Sequence, residues 1–181
     1  MEENVLKLLT KSFAIFILLT LAGCGNQKNS APAIDLHTAV VTGDLAVVQQ
    51  HIKAGSDLNI KEPTRQSTPL LTAIVLGKTD IALTLIDAGA DINYQNNDGS
   101  TALITAAFFC HTDVVKALLD KNADTSLRNN AGHTALESVA RPFEEVKGIY
   151  DTIGASLAPL GLKLDYERIK QTRPIIAKLL R

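Results

Sequence analysis

The residues able to do chemistry are few and scattered. The chain of 181 residues holds four histidines and two cysteines. His37, His51, His111 and His133 do not fall at the i, i+4 or C-x-x-C type spacings that bring metal ligands onto one face. No Gly-x-Ser-x-Gly elbow, Gly-rich phosphate loop or His-Glu-x-x-His occurs. The carboxylates that stand together or recur, Glu144 with Glu145 and Asp91 with Asp124, sit where capping or solvation accounts for them. Side chains thus spaced point to no catalytic residues, no metal and no cofactor. Cys24 and Cys110 could pair in an oxidising compartment, and the segment around Cys24 bears on that directly.

Composition narrows the class further. Formal net charge is -1, so no general basic field would hold nucleic acid. Six basic and two acidic residues between Lys163 and Arg181 read as a solvated face of the last helices. Aromatics make up 4% and hydrophobics 46%, mostly Leu, Ala, Ile and Val, which suits close-packed helices.

What positions the side chains is a repeat. Thr68-Pro69-Leu70-Leu71-Thr72-Ala73 recurs as Thr101-Ala102-Leu103-Ile104-Thr105-Ala106 and again as Thr134-Ala135-Leu136, each step being 33 residues. Gly89-Ala90-Asp91-Ile92-Asn93 recurs as Asn122-Ala123-Asp124-Thr125-Ser126. A fixed period of this length means stacked units, none of which can bury its apolar face alone. Within a unit, Thr79 or Thr112 stands where an N-cap belongs, followed by the stripe Ile81, Leu85, Ile86 or Val114, Leu118, Leu119. Gly89 and Asn122 then fall where a left-handed helix stop is needed. An earlier unit runs from Ile34 to Asn59, offset by 34, with its extra residue in the turn Ile60 to Ser67.

Thr-Pro-Leu, a glycine nine residues on, and Gly-Ala-Asp-x-Asn together resemble the ankyrin repeat. The resemblance covers Ile34 to Val139 and implies an all-α solenoid of paired antiparallel helices. About four repeats are expected, at 34–67, 68–100, 101–133 and 134–181. The resemblance also implies a non-enzymatic role in binding a protein partner. His37 matches the family's turn-bonding histidine and His111 its Gly-His position, both structural. Cys110 occupies a glycine position and is expected as a small buried hydrophobe. In this family the two residues before the helix-ending glycine face the concave groove, here Val41-Thr42, Val75-Leu76 and Phe108-Phe109. The protruding turns would add Asn97, Asp98, Ser100, Arg128, Asn130 and His133. Two adjacent rings in a groove would make a good anchor. The competing expectation is that the C-terminal insertion covers them.

That insertion is where the pattern breaks. After Gly132-His133-Thr134-Ala135-Leu136, Arg141-Pro142 interrupts the repeat and Phe143 to Ser156 reads as an added helix. Ala158 to Gly161 reads as a loop, and Asp165 or Thr172 as a cap with Pro174 in a first turn. Ile175, Ile176, Leu179 and Leu180 then supply the missing second helix of a diverged capping repeat, or a cap of unrelated shape. A small-molecule-binding or enzymatic role in residues 143–173 is the alternative function.

The N-terminus carries its own signal. A polar start with Lys7 and Lys11 precedes the ten-residue apolar run Phe13 to Ala22. That run is about 15 Å long as a helix, half of what a bilayer needs. Leu21-Ala22-Gly23-Cys24 resembles the lipobox of bacterial lipoproteins. The resemblance implies a signal peptide at 1–23 and lipidation of Cys24, with Gly25 to Ala33 as a flexible tether. Glu2 and Glu3 depart mildly from that pattern, and an ordinary cleaved signal is the competing reading. More than one acyl chain makes anchoring stable, and Gly25 in place of Asp points to the outer membrane facing the periplasm. An acylated Cys24 could not pair with Cys110.

Overall fold

The computed structural model describes residues 30–181. Nine α-helices and one 3₁₀ turn account for the regular structure of these residues, with no strand among them. Helices α1 (Leu36–Thr42), α3 (Pro69–Val75), α5 (Ala102–Phe108) and α7 (Ala135–Ala140) form an inner row. Behind them lie α2 (Leu45–Ala54), α4 (Thr79–Asp87) and α6 (Thr112–Asp120). The chain then adds α8 (Phe143–Leu157), the turn Ala158–Leu160 and α9 (Tyr166–Leu179).

Inner helices of six or seven residues are too short to stand alone, so packing and caps must hold them. The hydroxyls of Thr68, Thr101 and Thr134 accept the backbone N–H of Leu71, Ile104 and Glu137, satisfying first-turn donors at one position of three successive repeats. At α7 the Glu137 carboxylate also accepts the Thr134 N–H, completing a capping box. The outer helices start differently from expectation. Thr79 and Thr112 are the first residues of α4 and α6, and their N-cap positions belong to Lys78 and His111, neither of which makes a side-chain cap bond. The difference has a physical cause: the preceding left-handed residue turns the chain one residue earlier. Gly77 before α4 and Cys110 before α6 take that conformation with φ of 69° and 60°, Cys110 standing where neighbouring repeats place glycine.

Across the repeats the core is one continuous layer of aliphatic side chains that includes Leu70, Ile74, Leu85, Leu103 and Leu118. The last repeat is completed out of sequence order. Helix α9 packs on α7 and α6, as α6 packs on α5 and α4, so it occupies the outer-helix place. Asp165 caps it by accepting the Arg168 N–H, while Thr172 and Pro174 lie inside the helix rather than at its start. Pro174 leaves one carbonyl in the helix without its usual donor.

Leu85 is fully buried between α4 and its neighbours. Leu85→Ala should cost about 2–5 kcal/mol through lost transfer energy plus a cavity. Urea denaturation should report that loss, and amide exchange should speed up in the flanking repeats as well as in α4.

Candidate functional site

The protruding turns are strapped to one another at the repeat period. The Asn97 N–H donates to the Arg65 carbonyl at 3.0 Å, and Asn130 repeats the bond to Asp98 at 3.0 Å. The Asn97 and Asn130 side-chain amides donate to the Thr64 and Asn97 carbonyls. At the base of the turns, Asn59 and Asn93 each accept the N–H of an aspartate in the next repeat, Asp91 and Asp124. Gly99 makes this approach possible: a Cβ there would lie 2.6 Å from Asn130 Oδ1 and 2.8 Å from its backbone N, with φ at 69°. The turn tips are therefore a rigid, polar edge. Asn97, Asp98 and Arg128 are exposed on it and His133 is half-buried. Arg128 donates to the Gly132 carbonyl and pairs with Glu137 at 2.6 Å; Arg65 pairs with Asp98 at 3.8 Å.

In the groove beside this edge the competing expectation holds: the C-terminal insertion covers the aromatic pair. The rings of Phe108 and Phe109 do not project free into it. Phe109 is 5% exposed and Leu76 8% exposed, gathered with Leu162 into a small apolar cluster under α8. Val41, Val75 and Phe108 are half-buried against the same cluster, with Ile153 and Leu157 of α8 lying over them. Phe108 stacks on Tyr150 at 4.4 Å between centroids and meets Phe109 edge to face at 5.2 Å. The cause is legible in α8 itself. Phe143, Val146, Tyr150, Ile153 and Leu157 recur at alternating steps of three and four, an apolar stripe that must find a partner, and the aromatic pair supplies it.

A polar network locks α8 in place. The Tyr150 hydroxyl donates to the Phe108 carbonyl, and Arg173 of α9 donates from Nη1 to the Tyr150 oxygen at 2.9 Å. Arg173 Nη2 donates to the carbonyls of Ser138 and Arg141 at 3.0 and 2.9 Å. The Arg173 side chain is thus buried without a carboxylate partner among the described residues, its charge meeting carbonyls at the C-terminal end of α7. The exposed Arg168 also meets the carbonyls at the C-terminal end of α5, donating to Cys110 at 2.8 Å and Phe109 at 3.4 Å. Sequence reasoning missed both arginines; their signal was the basic excess of the last nineteen residues, read as a solvated face.

His37, Cys110 and His111 sit in packed surroundings within the repeats. His37 Nε2 meets the Ile60 carbonyl at 3.0 Å, joining the first turn to α1. Cys110 is buried, its thiol donating to the Ile169 carbonyl, and burial pushes it up to about 11, far from a reactive thiolate. His111 is pulled down to about 4 by burial and then by the Arg168 charge. Among the described residues no group of three His, Cys, Asp or Glu gathers as metal ligands do. No helix among them is long and apolar enough to cross a membrane. Cys24, residues 1–23 and most of the tether lie outside the described residues.

Phe109→Ala should lower stability by about 3–5 kcal/mol, because it removes a buried ring; a shift in the denaturation midpoint checks this. For His111 the folded value lies below the ordinary 6.5, so the unfolded chain binds the extra proton. Stability should be full above pH 6.5 and fall as pH drops toward 4, a tenfold difference in proton affinity being worth about 1.4 kcal/mol. Melting curves at pH 7 and 4.5 should differ less for His111→Gln than for the parent chain.

Comparison with known proteins agrees with the repeat geometry. The profile for ankyrin repeats in three copies matches residues 36–140, more than half of the chain. Inversin of Gallus gallus is 35% identical over 66 residues, 36% of this chain and 6% of inversin. Protein phosphatase 1 regulatory subunit 27 of Mus musculus is 42% identical over 64 residues, 35% of this chain and 41% of that protein. The chain therefore spans less than half the length of these relatives. Among solved structures, the ankyrin repeat domain of Bcl-3, a member of the IkappaB family, superposes with a TM-score of 0.54 at 30% identity. That superposition covers 57% of this chain and 45% of the other. With its period, its capped inner helices and its strapped turns, this chain belongs to the ankyrin-repeat family.

Proposed function

We propose that this protein is a non-enzymatic binding module, held at the bacterial outer membrane on its periplasmic side by lipid at Cys24, that binds or inhibits a protein partner. The observation that carries the binding role is the turn edge. Successive repeats fix their turns by main-chain and amide bonds, leaving Asn97, Asp98 and Arg128 exposed on a scaffold that loses little entropy when a partner docks. Burial of Phe109 moves the contact surface from the centre of the groove to this edge and to the strip of groove beside it. Relatives with the same repeat, a phosphatase regulatory subunit among them, support the reading. Anchoring is supported by Leu21-Ala22-Gly23-Cys24 after an apolar run too short to span a bilayer.

Cys24→Ser should leave an uncut, unacylated precursor, read by mass spectrometry of the intact protein. A cut Cys24→Ser chain still fractionating with the outer membrane would overturn the anchor. For the edge, photo-crosslinking from position 97 in cell envelopes should trap one predominant protein. Asp98→Lys should reduce that product about tenfold while moving the melting temperature by no more than about 2 °C, as exposed substitutions do.

A further inference from the structure

A cavity of about 520 Å³ lies at the C-terminal end of the stack, where α7, α8 and α9 meet. The charge on its wall is uneven. Arg141, Lys170, Arg173 and Arg181 line it together with one carboxylate, Glu144. Lys170 meets Glu144 and Arg141 meets Glu145, both at 3.4 Å and both as exposed pairs that a competing anion exchanges at little cost. Arg181 makes no ion pair among the described residues. Arg173 differs from the other three in being only 3% exposed. Its Nη groups are engaged by the Tyr150 oxygen and by the Ser138 and Arg141 carbonyls. Its Nε has no acceptor among the described residues. A buried charged donor without an acceptor is costly, and an anion in the cavity would supply one.

The same wall holds a helix start. Helix α8 runs for 15 residues from Phe143, and its N-cap Pro142 makes no side-chain cap bond. The N–H groups of Phe143 and Glu144 therefore have no partner within the helix and carry the positive end of its dipole. The carbonyl end of α7, which would repel an anion, is already engaged by Arg173 Nη2. Cations, free amides and an open buried donor on one wall fit an oxyanion. A carboxylate would bring a single charge to a wall where four cations face Glu144. A phosphate monoester carries about −1.5 to −2 at neutral pH and three acceptor oxygens, which suits that excess. We propose that this cavity binds a phosphate monoester group, its oxygens accepting from Lys170, Arg181 and Arg173 Nε and from the first amides of α8. The site makes no use of the turn edge.

Equilibrium dialysis of the full chain in detergent against radiolabelled inorganic phosphate, at constant ionic strength, tests this. One phosphate should bind per chain, saturably, and chloride should not displace it. Lys170→Gln should weaken binding about tenfold, the effect of losing one charge-assisted hydrogen bond. Glu144→Gln removes the carboxylate that competes for Lys170 and should tighten binding about threefold. General loosening of α9 would not move two exposed neighbours in opposite directions. Arg181→Gln should weaken binding about threefold, and it carries the test if Lys170→Gln lowers the melting temperature. Short-chain phosphatidic acid and glycerol 3-phosphate then distinguish the source. Displacement by the lipid at concentrations about tenfold lower assigns the site to a headgroup, and equal or weaker displacement assigns it to a soluble phosphate ester. No saturable phosphate binding, or an affinity that Lys170→Gln and Glu144→Gln both leave unchanged, would overturn the proposal.

Discussion

Arg173 and Tyr150 hold together what the repeat alone would leave apart. A guanidinium taken out of water is costly, and here three main-chain or phenolic oxygens offset that cost in place of a carboxylate. The arrangement joins four elements at one point: α9 through Arg173, α8 through Tyr150, the end of α7 through Ser138 and Arg141, and the end of α5 through the Phe108 carbonyl. Removing Arg173 would free the carbonyls that end the last inner helix and loosen the ring that stacks on Phe108. The cap, the covered groove and the strip beside it all depend on this junction.

Much of the fold was legible because it is local and repeated. Thr68, Thr101 and Thr134 mark the repeat by recurring every 33 residues, and Asn122 marks a stop by tolerating positive φ, so pattern alone finds them. Thr79 misled because a hydroxyl near a helix start looks like a cap, and only the preceding left-handed residue decides where the helix begins. The groove was less legible. Phe108 and Phe109 sit where the repeat turns side chains inward, and nothing at those positions says what arrives there from forty residues on. Residues 143–156 read as an added helix, and the stripe Phe143, Val146, Tyr150, Ile153, Leu157 that the structure brings out requires an apolar partner without naming it. Destination is a tertiary property, fixed here by Arg173 and Tyr150.

The same insertion redistributes function along the surface. In an open stack the inner row would be free over its length. Here α8 takes the central width, burying Phe109 and half-burying Phe108, and leaves the rigid turns and a narrow strip beside them. Lost groove area is exchanged for a defined wall, and a walled strip discriminates by shape and spacing better than an open surface does.

Completion of the last repeat by α9 also sets an order of assembly. In a regular array each outer helix follows its inner partner after a few residues, so docking is local and fast. Here α7 ends at Ala140 and its partner begins only at Tyr166, after a helix that must itself find the groove. Closing so long a connection carries more chain entropy than closing a short turn. The preceding repeats offer the formed surface on which α8 and α9 dock, so this repeat is expected to form after them in refolding.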